Sequence, residues 1–169
     1  MSAIFFRFIE IALFQKGPQD LPSSGFLLFL AMLLNAAVLG LSVVMFQSGD
    51  LPRGVAQSVI GVATEFVLVW GVLLAFNYRN RFLQTMTAVL GVDSVISLAF
   101  IPLLASMPAA PGAGQASGLQ AISMLALLVW GVVALGWILR NAVNVSSFSG
   151  AAIALAYHVT AYWLLTDVL

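Results

Sequence analysis

The chain has no cysteine, a single histidine and twelve charged residues among 169, six Lys or Arg against six Asp or Glu. Without cysteine there are no disulfides, no thiolate nucleophile and no Cys-ligated zinc or iron–sulfur site. One histidine excludes the multi-His sites typical of catalytic zinc. As a haem ligand it would have only six methionines beside it, and methionine in an apolar helix serves packing. With no net charge and no run of cations to follow a phosphate backbone, nucleic acid is not an expected partner. H-E-x-x-H, G-x-S-x-G, P-loop and G-x-G-x-x-G patterns are all missing, so no catalytic role, cofactor or metal is expected.

What the chain does have is apolar surface: 62% hydrophobic residues against 7% charged, with a mean hydropathy of +1.09. That is far from the balance of a soluble domain and places the protein in a lipid bilayer. A helix needs about 20 apolar residues to cross the hydrocarbon core. Five runs qualify, over residues 25–46, 55–76, 82–106, 119–139 and 150–169. The expected fold is therefore all-α, a bundle of five transmembrane helices. Turn-forming residues separate the runs at Ser48–Pro52 and Pro108–Gly114, and polar residues do so at Asn77–Arg81 and Arg140–Ser149.

Residues 1–24 differ from the rest. The apolar stretch in Met1–Lys16 is too short to span and carries Arg7 and Glu10, an i,i+3 pair, while Ile4, Phe5, Phe8, Ile11 and Ala12 share a face. This predicts an amphipathic helix lying along the inner leaflet rather than a cleaved signal peptide, since no A-x-A-like site follows it. Arg7, Lys16, Arg79, Arg81 and Arg140 fall on one side of the membrane in a five-span arrangement and Arg53 alone on the other. By the positive-inside rule the N-terminus is cytoplasmic and the C-terminus lies across the membrane, in the periplasm of a bacterial inner-membrane protein.

Polar groups inside the spans are costly, about 2.5–3.5 kcal/mol for a central Asp. Asn35, Glu65, Asp93 and His158 each lie near the middle of a different run, within about 3 Å of a common depth for slightly tilted helices. The cheapest arrangement turns them towards one another. Thr64 beside Glu65, Ser94 and Ser97 near Asp93, and Ala154 and Tyr162 one turn either side of His158 supply small residues and hydroxyls for such an interior. The fourth run, with Gly131, Gly136, Trp130 and Trp137 but only Ser123 as polar content, is expected at the periphery.

The four midplane groups read in two ways. As interhelical glue they hold a bundle in register, at about 0.6 kcal/mol per contact. As a relay they carry a proton or cation, and two carboxylates in low dielectric are then expected to share a proton that His158 can also take. The first implies a non-enzymatic accessory or scaffold subunit. Such a subunit meets other membrane proteins or copies of itself through small-residue faces such as Ala36/Gly40 and Ala152/Ala156. The second implies a small proton- or cation-coupled transporter or channel component.

In layout, a short lead with Pro18 and Pro22, then five closely spaced spans and the stretch Arg81–Asp93, the chain resembles bacterial members of the Yip1-like family. Eukaryotic relatives of that family have a longer cytosolic N-terminal region and act with small GTPases. The lead of 24 residues departs from that pattern, so the resemblance implies only a helical membrane protein that works with partners.

Overall fold

The apolar runs become helices because a chain withdrawn from water must satisfy its N–H and C=O groups internally. In a computed structural model, which describes residues 2–46, 51–106 and 118–168, the elements are α1 (Ser2–Ala12), α2 (Gly25–Phe46), α3 (Leu51–Ala75), α4 (Phe82–Ala105), α5 (Gly118–Val143) and α6 (Ser147–Val168). Short 3-10 turns occupy Pro18–Asp20 and Arg79–Arg81, and there is no strand among the described residues. Among the described residues four segments are long and apolar enough to cross a membrane, Gly25–Ser42, Gly54–Ala75, Arg79–Ala105 and Gly118–Val143, and the fifth expected span, at 150–169, is not one of them.

Most helix limits follow local chemistry. α3 begins earlier than the apolar run because Pro52 fits the first turn, where its missing N–H costs nothing. α5 runs on to Val143, so Arg140 lies in its last turn near the partial negative charge of the carbonyls. α3 and α5 are followed by Asn77 and Asn144 in the left-handed region, at φ 62° and 56°. The next N–H folds back in each case, Tyr78 to the Leu73 carbonyl and Val145 to that of Arg140. The turn expected at Pro108–Gly114, and Ser48–Asp50 of the one before it, lie outside the described residues.

α4 is the axis of the molecule. Thr85 to Val92 are buried without interruption, as befits a helix surrounded on all sides, and α1, α2, α3 and α5 all contact it. α5 does not take the peripheral place its composition suggested: Ala134, Leu135, Gly136, Ile138, Leu139, Ala142 and Val143 are buried between α4 and α6. Two glycines allow that approach. A Cβ on Gly150 would lie 2.6 Å from the Gly136 carbonyl oxygen, and one on Gly136 would lie 3.2 Å from the Ala151 Cα. The expected small-residue faces are elsewhere: Ala36, Gly40, Ala152 and Ala156 are not part of this contact and are partly or fully exposed. An Ala/Gly pair is common in any apolar helix, and only the backbone approach distinguishes the pair that is used.

The N-terminal lead is not a layer beside the bundle. Phe8, Ile11 and Ala12 are buried against α4 and α5, with the Phe8 ring over Gly91. The Trp130 and Trp137 indole N–H groups donate to the carbonyls of Ala12 (2.8 Å) and Lys16 (2.7 Å), and Gln84 Nε2 donates to that of Leu21 (2.7 Å). Arg7 and Glu10 pair on the outer face at 3.3 Å. Of the face expected from apolar periodicity, Phe8, Ile11 and Ala12 are buried, Ile4 is half-buried and Phe5 is exposed, and periodicity carries no information about the surface that receives it.

Candidate functional site: a polar cluster at mid-depth

α2, α3 and α4 bring Asn35, Glu65 and Asp93 to one region of the bundle, and α6 places His158 at its edge. Asn35 on α2 is 1% exposed, and its Nδ2 donates to Asp93 Oδ2 on α4 at 2.8 Å, with the Leu90 carbonyl at 3.5 Å. A charge-assisted bond of this kind fixes α2 against α4 at the depth where lipid offers no alternative partner. Glu65 on α3 and Asp93 line the same two cavities. His158 on α6 stands at the rim of one of them, exposed, with Nδ1 2.8 Å from the Ala154 carbonyl. A carbonyl oxygen only accepts, so Nδ1 carries the hydrogen and Nε2 is the basic nitrogen of the neutral ring.

The cavities lie on opposite sides of the carboxylate pair. One, of about 80 Å³, includes Val89 of α4, Leu135 and Ile138 of α5, and Tyr157 of α6, with Glu65 and Asp93. Val89 belongs to the first half of α4, and Leu135 and Ile138 to the last third of α5. With Val92 and Ile96 of α4, Gly131 of α5 and His158 of α6 also in its lining, this cavity is centred at the depth of the carboxylates rather than at the end that bears Arg79, Arg81 and Arg140. The other, an open groove of about 310 Å³, includes Leu39 of α2, Ser58 and Gly61 of α3, and Ser97 of α4. Those residues belong to the last part of α2, the first half of α3 and the last part of α4, so it reaches towards the opposite end.

The cluster does not satisfy itself. Asn35 Oδ1, Glu65 Oε2 and the Tyr157 hydroxyl are buried without a hydrogen-bond partner in the protein. Such groups are rare, and each calls for an ordered water, an ion or a catalytic explanation. Among the described residues no set of three or more His, Asp and Glu is placed to hold a metal ion.

The supporting residues divide. Ser97 lines the larger cavity. Ser94 is buried and donates back to the Leu90 carbonyl at 2.7 Å, satisfying itself within α4. Thr64 is half-buried and lines neither cavity, and Tyr162 is exposed. The aromatic hydroxyl in the site is Tyr157, the neighbour of His158, which the i±4 rule passed over because adjacent helix residues point about 100° apart. Two residues about 100° apart can still border one cavity when it wraps around the helix, and a tyrosine beside the only histidine was the available signal. A scan against protein-family models and searches of curated proteins and of solved structures find no match for this chain.

Proposed function

We propose that the protein is a small proton- or cation-coupled transport component, in which Glu65 and Asp93 form the midpoint of a path through the bundle. One observation carries this: the two carboxylates border both a cavity at their own depth, between α4, α5 and α6, and an open groove that runs from them towards the end opposite Arg81. Helix glue requires no such space. Glu65 is the clearer case, since Asp93 has Asn35 as a bond partner while Glu65 Oε2 has none. In this reading α6 is the fifth span, bringing Tyr157 and His158 to the depth of Glu65. α1 enters the bundle from the cytoplasmic side instead of resting on the leaflet.

The orientation has support from Arg81, whose Nη1 reaches the carbonyls of Asn141 (3.2 Å) and Ala142 (2.9 Å). The cations of Arg79–Arg81 and Arg140 therefore share one end of the bundle, which the positive-inside rule makes cytoplasmic, in a bacterial inner membrane with the C-terminus periplasmic. An accessory-subunit role has its own observation in the open groove of about 340 Å³ between α2 and α3, where Ala36 and Gly40 would admit a partner helix. The likeness to the Yip1-like family adds to that second reading alone.

The test is flux. Purified protein in liposomes carrying a pH-sensitive dye should dissipate an imposed proton or cation gradient, and Glu65→Gln and Asp93→Asn should fold yet lose the flux. Normal flux in both variants, or none above empty liposomes with wild type, would end the proposal.

A further inference from the structure

The unanswered oxygens around the carboxylates have a composition of their own. Asn35 and Tyr157 are 1% and 8% exposed, and each presents a polar atom with no partner. Tyr157 lines the 80 Å³ cavity with Glu65 and Asp93, and Asn35 holds Asp93 through its other amide atom. A proton delivered to Glu65 answers one oxygen, whereas one positive centre in the cavity that Glu65 and Tyr157 both line could answer both of their unpartnered oxygens at once.

From this we infer that the cluster is a binding site for a single monovalent cation of sodium's hardness, held by Glu65, Asp93 and Tyr157, which line the cavity together, with Asn35 positioning Asp93. The ligands are all oxygen, which suits hard cations and disfavours the transition metals. Three side chains fall short of the six to eight oxygens that calcium takes. Two carboxylates sharing one proton leave a single negative charge, which a monovalent ion neutralises. A cavity of about 80 Å³ has room for an ion together with water. The inference deepens the transport reading by naming the species held at the midpoint of the path.

Binding is tested without a gradient, so that its outcome is separate from flux. The full chain in detergent is titrated with sodium chloride against choline chloride at constant ionic strength, following thermal unfolding and tryptophan fluorescence. Sodium should raise the unfolding temperature saturably and choline should not. Tyr157→Phe, which keeps the ring, should move the sodium midpoint up about tenfold, the loss of one good polar contact. Glu65→Gln should abolish the response. Equal effects of the two salts would assign the cavity to water and overturn the site, as would a wild-type midpoint in both variants. A sodium response without flux in liposomes would keep the site and sink the transport reading; flux without a sodium response would do the reverse.

Discussion

Replacing Gly91 with alanine should undock the N-terminal helix, and the size of the effect can be worked from the contact. A Cβ at position 91 would lie 2.4 Å from Cδ1 and Cε1 of Phe8 and 2.6 Å from Cγ. Carbon atoms pack at about 3.5–4.0 Å, so the ring must retreat by more than about 1 Å. The ring is 3% exposed, with Ile11 and Ala12 fully buried on the same helix, and the space beside it is an apolar cavity of about 230 Å³ that it lines with Leu27 and Ala31, so a retreat into it moves the ring off α4. Overpacking of this kind costs about 1–3 kcal/mol, and alanine recovers about 0.5–1 kcal/mol of helix propensity in α4. The expected net loss is thus about 0–2.5 kcal/mol. It should appear as faster proteolysis at Gln15–Lys16 and a lower unfolding temperature in detergent. Phe8→Ala removes the ring as well as the clash. On that background Gly91→Ala should become neutral or slightly stabilising, a coupling of about 1–3 kcal/mol. If Gly91→Ala costs the same with and without Phe8, the docking of α1 on α4 is refuted.

Other outcomes follow from the same reasoning. Gly150→Ala should destabilise more than Gly136→Ala, because the first meets a backbone carbonyl at 2.6 Å and the second meets backbone at 3.2 Å, and thermal melts of the two in detergent give the order. Arg81→Ala should cost about 1.5–3 kcal/mol in chemical unfolding, since it leaves the Asn141 and Ala142 carbonyls without their charged donor, with Arg81→Lys recovering part of it. Phe14 sits at φ 62°, a strain of about 1–2 kcal/mol that glycine would relieve, but its ring meets Trp137 edge-on at 5.9 Å. Phe14→Gly should therefore change the melting temperature little, and a large shift either way would show that one of the two effects is misjudged. Asn35→Leu should lower stability by about 1–3 kcal/mol through the loss of Asp93's bond, and an Asn35→Leu/Asp93→Leu double variant should fall short of the summed single losses.

The sequence was most informative where physics acts locally. Residue types set the α2 and α4 limits to within a residue, and the depth of Asn35, Glu65 and Asp93 followed from counting along each run. Their association followed from the expense of polar groups in lipid. Harder to read were matters decided by the neighbour's shape. Gly91 reads as one more small residue until Phe8 is seen to fill the space above it, and Gly150 reads only as the start of an apolar run until it is seen against the Gly136 carbonyl. α5 looked peripheral because burial was judged by polar content, whereas an apolar helix can be buried on one side and face lipid on the other without changing composition. Tyr157 was missed for a related reason: a cavity border is set by the curve of the surrounding helices, not by one helix's repeat.

The tie between the N-terminal segment and the two tryptophans has a consequence for how the chain is made. Ala12 and Lys16 are separated from Trp130 and Trp137 by 118 and 121 residues. This segment, made well before α5, therefore cannot reach its resting place until α5 has been synthesised and inserted. In the interval its buried face, Phe8, Ile11 and Ala12, must be sheltered by lipid or by the insertion machinery. Chains stopped before α5 should leave this segment open to protease, so that its protection times the completion of the bundle.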